Sequence, residues 1–494
     1  MWIRTVSLHI AVVATIFITG CDSHKQYKNN FVPLWAKDAV FYQIFPERFA
    51  NGDTTNDPEG KVAWDAEPTQ SNYFGGDIQG IINKLDYLTE LGINAIYLNP
   101  IFESNTNHKY HTIDYLKIDR HFGTEETFLK FLKECHDRNI RVIIDGVFNH
   151  TGTQFFAFKD IVEKGEKSKY VNWYSIHSFP VKLPPEKPNY EAWWGIGELP
   201  KLMADNQEVK KYLFDVSKYW TEKGIDGWRL DVPNEMSHQF WKDWRILIKQ
   251  TNLEALIIGE IWNDAIPWLQ GDQFDAVMNY RFRGACVGFI ALKNKSASQF
   301  DSILTEIRST YKEEVNFALQ NLISSHDTER FLTLSENDTN KLKLAVLMQM
   351  TYVGSPMIYY GDEIGMTGGK DPECRRTMKW DKSKWNMGLW NWFRKLIQIR
   401  NNNDIFRKGS IESLIADDSL QLYGFVRKYQ NNEAVIFINT NIDSVSVPYS
   451  IMNKNVKYYE ELLNGKTYSM NELKNDSLRI APQSGMIFIG KITE

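Results

Sequence analysis

The stretch GWRLDVPNE, residues 227–235, alternates two kinds of side chain: Trp228, Leu230 and Val232 against Gly227, Arg229 and Asp231. In a β-strand, successive side chains point to opposite faces. The apolar set then takes one face and the charges the other. A half-exposed surface strand fits this pattern. So does a barrel strand that aims an ion pair at a substrate. The decision rests on what the rest of the chain supplies.

Apolar, β-rich runs recur along the sequence. They are AVFYQIF (39–45), INAIYLN (93–99), IRVIIDGVF (140–148), IDGWRLDV (225–232), LIIGEIW (256–262), FDAVMNY (274–280), NLISSHD (321–327) and PMIYYGDE (356–363). Amphipathic stretches such as 78–92 and 125–139 lie between them. Alternation of this kind predicts an α/β fold, a (β/α)8 TIM barrel, with a doubly wound open sheet as the competing architecture. The gap from residue 149 to 224 is too long for one loop and helix. It predicts an inserted subdomain over about 150–205, after the third strand. Beyond residue 404 the pattern becomes short alternating strands, LQLYGFV, EAVIFIN and GMIFIG, which predict a C-terminal antiparallel β-sandwich domain over 404–494. The catalytic barrel is then 35–403.

The first residues need separate treatment. Arg4 precedes an apolar stretch from Val6 to Ile18, which ends in Ile18-Thr19-Gly20-Cys21. The stretch is short for a membrane-spanning helix and fits a secretory signal. The small residues before Cys21 resemble a bacterial lipobox. Residues 1–21 are therefore expected to be a lipoprotein signal peptide, with Cys21 lipidated and 22–34 a tether; an uncleaved membrane anchor is the rival reading. That places the protein outside the cytoplasm, periplasmic or on the cell surface, anchored to a membrane. The remaining cysteines, Cys135, Cys286 and Cys374, form no CxxC pattern. A net charge of -5 gives no general basic balance for nucleic acid.

Polar residues collect where the barrel runs end: Asp145, Asn149 and His150, then Arg229 and Asp231, Glu260, His326 and Asp327. In a TIM barrel these ends share one face, the face that carries active sites. Two carboxylates on neighbouring strands suit acid–base and nucleophilic work on an acetal. Asp231 is the candidate nucleophile, with Arg229 favouring its ionised form. Glu260 is the candidate general acid, its pKa raised by the apolar run before it. Either carboxylate alone is equally well read as half of a structural salt bridge.

Together these blocks resemble those of the α-amylase superfamily, glycoside hydrolase family 13. DGVFNH resembles its first signature, GWRLDVPNE its second, GEIW its third and SSHDTER its fourth, in that order. The resemblance implies Asp231 as nucleophile, Glu260 as acid/base and Asp327 as the third carboxylate, which grips sugar hydroxyls. It implies His150, Arg229 and His326 as ligands of the reacting sugar, Tyr110 as the aromatic platform beneath it, and His108 beside that platform. Within the superfamily, ELPKLMADNQEV and VPNE are similar to the neopullulanase, cyclomaltodextrinase and maltogenic amylase group, and Trp262 matches an aromatic that stacks on the leaving-side sugar. Pro233, Met203 and His111 depart from that group's usual Ala, Asn and Asp. The group's N-terminal β-domain, which builds its dimer, has no counterpart between Cys21 and the barrel, so a monomer is expected.

A loop, NGDTTND, offers Asn51, Asp53, Asn56 and Asp57, and FGGDIQG adds Gly75 and Asp77. Oxygen-rich loops suit Ca²⁺, which takes 6–8 oxygen ligands; taken alone, such a loop also reads as a solvated turn. The loop resembles a calcium loop of the neopullulanase group, which implies a structural Ca²⁺. The implied activity is a retaining α-glucan hydrolase acting on α-1,4 and also α-1,6 bonds in maltooligosaccharides, cyclodextrins, pullulan or starch. Transglycosylation is open to the same mechanism. An exo-acting α-glucosidase and a non-catalytic glucan-binding lipoprotein are the alternatives.

Overall fold

A computed structural model describes residues 31–470 and 477–492. Cys21 and the rest of the expected leader lie outside the described residues. All eight apolar runs contain parallel barrel strands: β1 (Phe41–Ile44), β2 (Ala95–Leu98), β5 (Arg141–Gly146), β6 (Gly227–Leu230), β7 (Leu256–Gly259), β8 (Ala276–Val277), β9 (Gln320–Leu322) and β10 (Ser355–Tyr359). Their order is β8-β7-β6-β5-β2-β1-β10-β9. A parallel bridge from Met278 to Gln320 joins the two ends of that order and closes the ring.

The helices between them follow from apolar spacing. The helix Glu125–Asp137 buries Phe128, Phe131, Leu132 and Cys135, which share one face at helical spacing. Thr124 caps it by accepting a hydrogen bond from the Thr127 amide, a contact worth ~1 kcal/mol. Before that helix the chain makes an antiparallel hairpin, β3 (Phe102–Ser104) with β4 (Thr112–Ile118). The sequence reading did not anticipate this hairpin. Its tip carries His108 and Tyr110.

Residues 150–205 leave the barrel after β5 and form a small unit with a helix at Phe156–Lys164 and isolated antiparallel bridges such as His150 to Lys201 and Ala192 to Pro200. Phe158 packs edge-on against Tyr174 and Tyr190, each at 4.9 Å, and supplies its core. After the short helix Asp404–Lys408, strands β11 (Ser410–Asp417), β12 (Leu422–Tyr429), β13 (Asn432–Asn439), β15 (Val456–Glu461), β16 (Lys466–Ser469) and β18 (Ser484–Ile492) form one antiparallel sheet. The pair β14 (Val445–Pro448) and β17 (Ser477–Ile480) forms a second sheet. Leu422, Phe437, Tyr459, Ile480 and Phe488 belong to the apolar core that the two sheets share. Arg427 of β12 is buried and donates to the Thr351 carbonyl at 2.7 Å, tying this domain to a barrel helix. Cys135, Cys286 and Cys374 are buried and free, and burial pushes all three thiols up. Among the described residues, no helix is long and apolar enough to cross a membrane.

One carboxyl in the turn after β10 has a measurable consequence. Glu363 is fully buried, and Tyr42 and Tyr87 both donate to its Oε1, the former at 2.8 Å. Burial pushes its pKa up to about 7. The folded state therefore prefers the neutral acid. That stability is full below the ordinary glutamate value and is lost as pH rises towards about 7. Glu363→Gln is expected to gain in Tm over the parent protein as pH rises from about 5 to about 8, with little difference at lower pH. A Tm difference that is flat across that range would contradict this reading.

Candidate active site

Strand register assembles the site. Asp145 of β5 pairs with Arg229 of β6, and Arg229 pairs with Ile258 of β7. Two residues further along each strand, Asp231 and Glu260 stand level on the same side. The ladder continues there, because the Glu260 amide donates to the Leu230 carbonyl at 3.0 Å. The charged face of residues 227–231 thus points into the barrel mouth.

Arg229 is fully buried and holds three carboxylates. Its Nη1 donates to both oxygens of Asp145, at 2.8 and 2.9 Å, and to Asp231 Oδ1 at 2.8 Å. Its Nη2 lies 2.8 Å from Glu260 Oε2, at an angle that makes this an ion contact rather than an aligned hydrogen bond. Glu260 also accepts from the Val232 amide at 3.2 Å and from Trp262 Nε1 at 3.1 Å. Val232 has φ +35°, a left-handed conformation rare for a β-branched residue. Such strain costs ~1–3 kcal/mol and collects at functional sites. Here it aims the Val232 amide at Glu260.

One cation facing three carboxylates cannot neutralise them all. Burial pushes Glu260 up, and Arg229 opposes the shift. The same balance takes Asp145 to about 6. At Asp231 burial pushes the pKa up, Arg229 favours the ionised form as expected, and the charges of Glu260 and Asp145 add to the rise. The three carboxyls therefore titrate as a coupled unit, with Arg229 opposing the rise at each.

A second network closes the opposite side. Tyr110 lies parallel to His326, with ring planes 2° apart and centroids at 5.7 Å. Its hydroxyl is 2.7 Å from His326 Nε2 and donates to Asp145 Oδ2 at 3.1 Å. Gln43 Nε2 is 2.8 Å from His326 Nδ1. With the amide donating there, the neutral ring carries its proton on Nε2. His326 Nε2 is also 3.0 Å from Asp327 Oδ2, and Arg375 Nη2 is 3.1 Å from Asp327 Oδ1. Burial holds His326 and His108 well below the usual histidine range, so both are neutral. His108 Nδ1 accepts from the Tyr110 amide at 3.2 Å. His150, held down to about 3 by burial, keeps a buried Nε2 with no protein partner, a vacant hydrogen-bonding position for a ligand hydroxyl. Trp262 stacks on Tyr280 at 3.8 Å and leaves its outer face half-exposed.

Asp231, Glu260, Asp327, Arg229, Tyr110, His108, His326, His150 and Trp262 thus lie on elements that converge at one barrel end. Sequence reasoning left Gln43, Tyr97, Asn99 and Arg375 out of the site. Tyr97 donates to Asp145 Oδ2 at 2.7 Å and Asn99 Nδ2 to the Tyr110 hydroxyl at 3.0 Å. Tyr97 and Asn99 could have been found at the end of β2; Arg375 ends a one-turn 3-10 helix, Glu373–Arg375, too short for a periodic pattern to mark it.

The α-amylase catalytic-domain family matches residues 43–404. The chain belongs to the α-amylase family. It is 47% identical to neopullulanase 2 of Thermoactinomyces vulgaris over 92% of this chain and 78% of that protein. It is 48% identical to a cyclomaltodextrinase of Thermoanaerobacter pseudethanolicus, with the same shares covered. Its fold superposes on the cyclic α-maltosyl-(1→6)-maltose hydrolase of Arthrobacter globiformis with a TM-score of 0.86 and 38% identity, covering 93% and 99% of the two chains. This α-amylase-family protein is a glycoside hydrolase.

The loop expected to hold calcium lies at a distance in sequence from the carboxylate cluster. Asn51 Oδ1 and Asn56 Oδ1 are buried without protein partners. A Cβ at Gly75, whose φ is +80°, would meet Asp57 Oδ1 at 2.4 Å and Asn51 Nδ2 at 2.8 Å. Orphaned amide oxygens beside a carboxylate and a side-chain-free wall fit a hard cation. Asp53 and Asp77 point elsewhere with their side chains. Asp53 accepts from Thr55, and Asp77 accepts from the amides of Gly52, Asp53 and Gly80. Among the described residues there is no cluster of three or more His, Cys, Asp or Glu that could hold a metal, so a cation here depends on amide and backbone oxygens.

Asp145 supplies a test of the shared titration. Its charge is one of the causes that raise the Asp231 pKa. Asp145→Asn removes that charge, so the acidic limb of the pH profile of hydrolysis is expected to move to lower pH. An unmoved limb, or one moved upward, would contradict the coupling.

Proposed function

We propose that this protein is a retaining α-glucan hydrolase that cleaves α-1,4 and also α-1,6 glucosidic bonds in maltooligosaccharides, cyclodextrins, pullulan or starch. The observation that carries the mechanism is that Asp231 and Glu260 contact adjacent nitrogens of one guanidinium. That bridging favours the short carboxyl separation of ~5–5.5 Å used by retaining enzymes. Protonated Glu260 gives its proton to the glycosidic oxygen as Asp231 attacks the anomeric carbon. The leaving sugar departs, and a glycosyl–Asp231 ester remains. Glu260, now ionised, takes a proton from water, which attacks the ester and regenerates Asp231. An acceptor sugar in place of that water gives transglycosylation. Asp327, fixed by His326 and Arg375, accepts from sugar hydroxyls, while Tyr110 supports the ring and His150 binds a hydroxyl. Trp262 covers the leaving-side sugar.

The relatives named neopullulanase and cyclomaltodextrinase support the substrate class. With all three carboxylates present, an active hydrolase is favoured over a non-catalytic glucan-binding protein. Glu260→Gln is expected to lower kcat on maltoheptaose by about 10²–10⁴-fold, and Asp231→Asn by at least as much, with Tm little changed. Full activity in both variants would overturn the assignment.

We also place a structural Ca²⁺ at Asn51, Asn56, Asp57 and Gly75, with Asp53 and Asp77 bracing the loop. Bound metal would pin the turn after β1. Chelation is expected to release metal and lower Tm; no metal lost and an unchanged Tm would rule the site out. The lipobox reading makes the protein lipid-anchored outside the cytoplasm, with Cys21 as the anchor.

A further inference from the structure

A line of aromatic rings leaves the active centre on one side. His150 stacks on Trp193 at 5.3 Å and 24°, and Trp193 stacks on Trp194 at 4.7 Å and 16°. The outermost ring, Trp194, is 78% exposed, the most exposed of the large hydrophobic side chains among the described residues. Its backbone has φ +50°, a conformation unfavourable for a bulky side chain. Gly195, at φ +76°, continues the turn. An exposed tryptophan on a strained backbone gains nothing from core burial, so packing does not explain it.

The ladder is braced from below. Trp193 Nε1 donates to Glu235 Oε1 at 3.1 Å, and Lys201 Nζ lies 3.0 Å from Glu235 Oε2. The Glu235 amide donates to the Val232 carbonyl, and the Val232 amide donates to Glu260. This chain of contacts ties the ladder to the general acid, and hence to the leaving-group side of the bond. Flat aromatic faces suit the apolar faces of sugar rings.

We propose that Trp194 is a sugar-binding platform for the leaving-side part of a linear α-glucan, engaging glucose units beyond those that flank the scissile bond. It selects for chains long enough to reach it, both as substrates and as acceptors. The inference rests on the α-glucan hydrolase reading. Trp193 belongs to it as a positioning residue, held between His150 and Trp194.

The test compares two donors. α-Maltosyl fluoride has no sugar on the leaving side, whereas maltoheptaose fills that side. In Trp194→Ala, the ratio of kcat/KM for maltoheptaose to that for α-maltosyl fluoride is expected to fall about three- to tenfold, the scale of one aromatic stacking contact. Trp194→Tyr restores most of the ratio. Trp194→Gly, which suits the left-handed backbone, retains or raises Tm and still lowers the ratio. An unchanged ratio in Trp194→Ala and Trp194→Gly would overturn the proposal. A parent protein that turns over neither donor would instead overturn the hydrolase reading on which it rests.

Discussion

The guanidinium of Arg229, buried among Asp145, Asp231 and Glu260, is the contact on which the site depends. Taking these charges out of water is expensive, and mutual attraction offsets it only when the geometry is good. The barrel supplies that geometry. Parallel register sets Asp145 beside Arg229 and brings Asp231 and Glu260 level, so one residue's slip on β6 would turn Arg229 into the apolar layer. Removing the arginine would leave three buried carboxylates without their cation, a change of the kind that costs ~3–5 kcal/mol.

The opposite wall is built differently. Gln43 on β1 and Tyr110 on the β3–β4 hairpin both hydrogen-bond His326, Tyr110 also donates to Asp145, and Asn99 after β2 links Gln43 to Tyr110. Neutral histidines and amides give this wall donors and acceptors without more net charge. A sugar, which offers hydroxyls on its edges and apolar faces above and below, meets both kinds of surface there. Charge is concentrated where bonds change, and neutral polar groups where the substrate is gripped.

Much of this was legible in the sequence. Each barrel strand is a compact apolar run, and helices between them show apolar residues at helical spacing, so periodicity exposes both. Asp145, Arg229, Asp231, Glu260 and His326 stand at the ends of those runs, where barrel topology gathers them. The β3–β4 hairpin was missed because β3 has only three residues and its pairing with β4 is interrupted by register shifts. Arg375 was missed because its single 3-10 turn is too short to show a period. Trp193 and Trp194 carry no sequence pattern that marks them, since their stacking depends on the fold around the Ala192–Pro200 bridge. The balance at Asp231 was legible only in part. Arg229 two residues away is visible in the sequence and does favour the ionised form, but the burial that opposes it is a property of the folded barrel.

The central claim is that the Arg229 cluster performs double displacement through Asp231. It is tested most directly by trapping the intermediate. The protein would be incubated with 5-fluoro-α-glucosyl fluoride, whose glycosyl-enzyme forms faster than it hydrolyses, and then digested and mapped by mass spectrometry. The account predicts one covalent hexosyl label, on Asp231 in the peptide that contains GWRLDVPNE. A label on Glu260 or Asp327, or turnover of the reagent with no covalent adduct and inverted anomeric product, would contradict it.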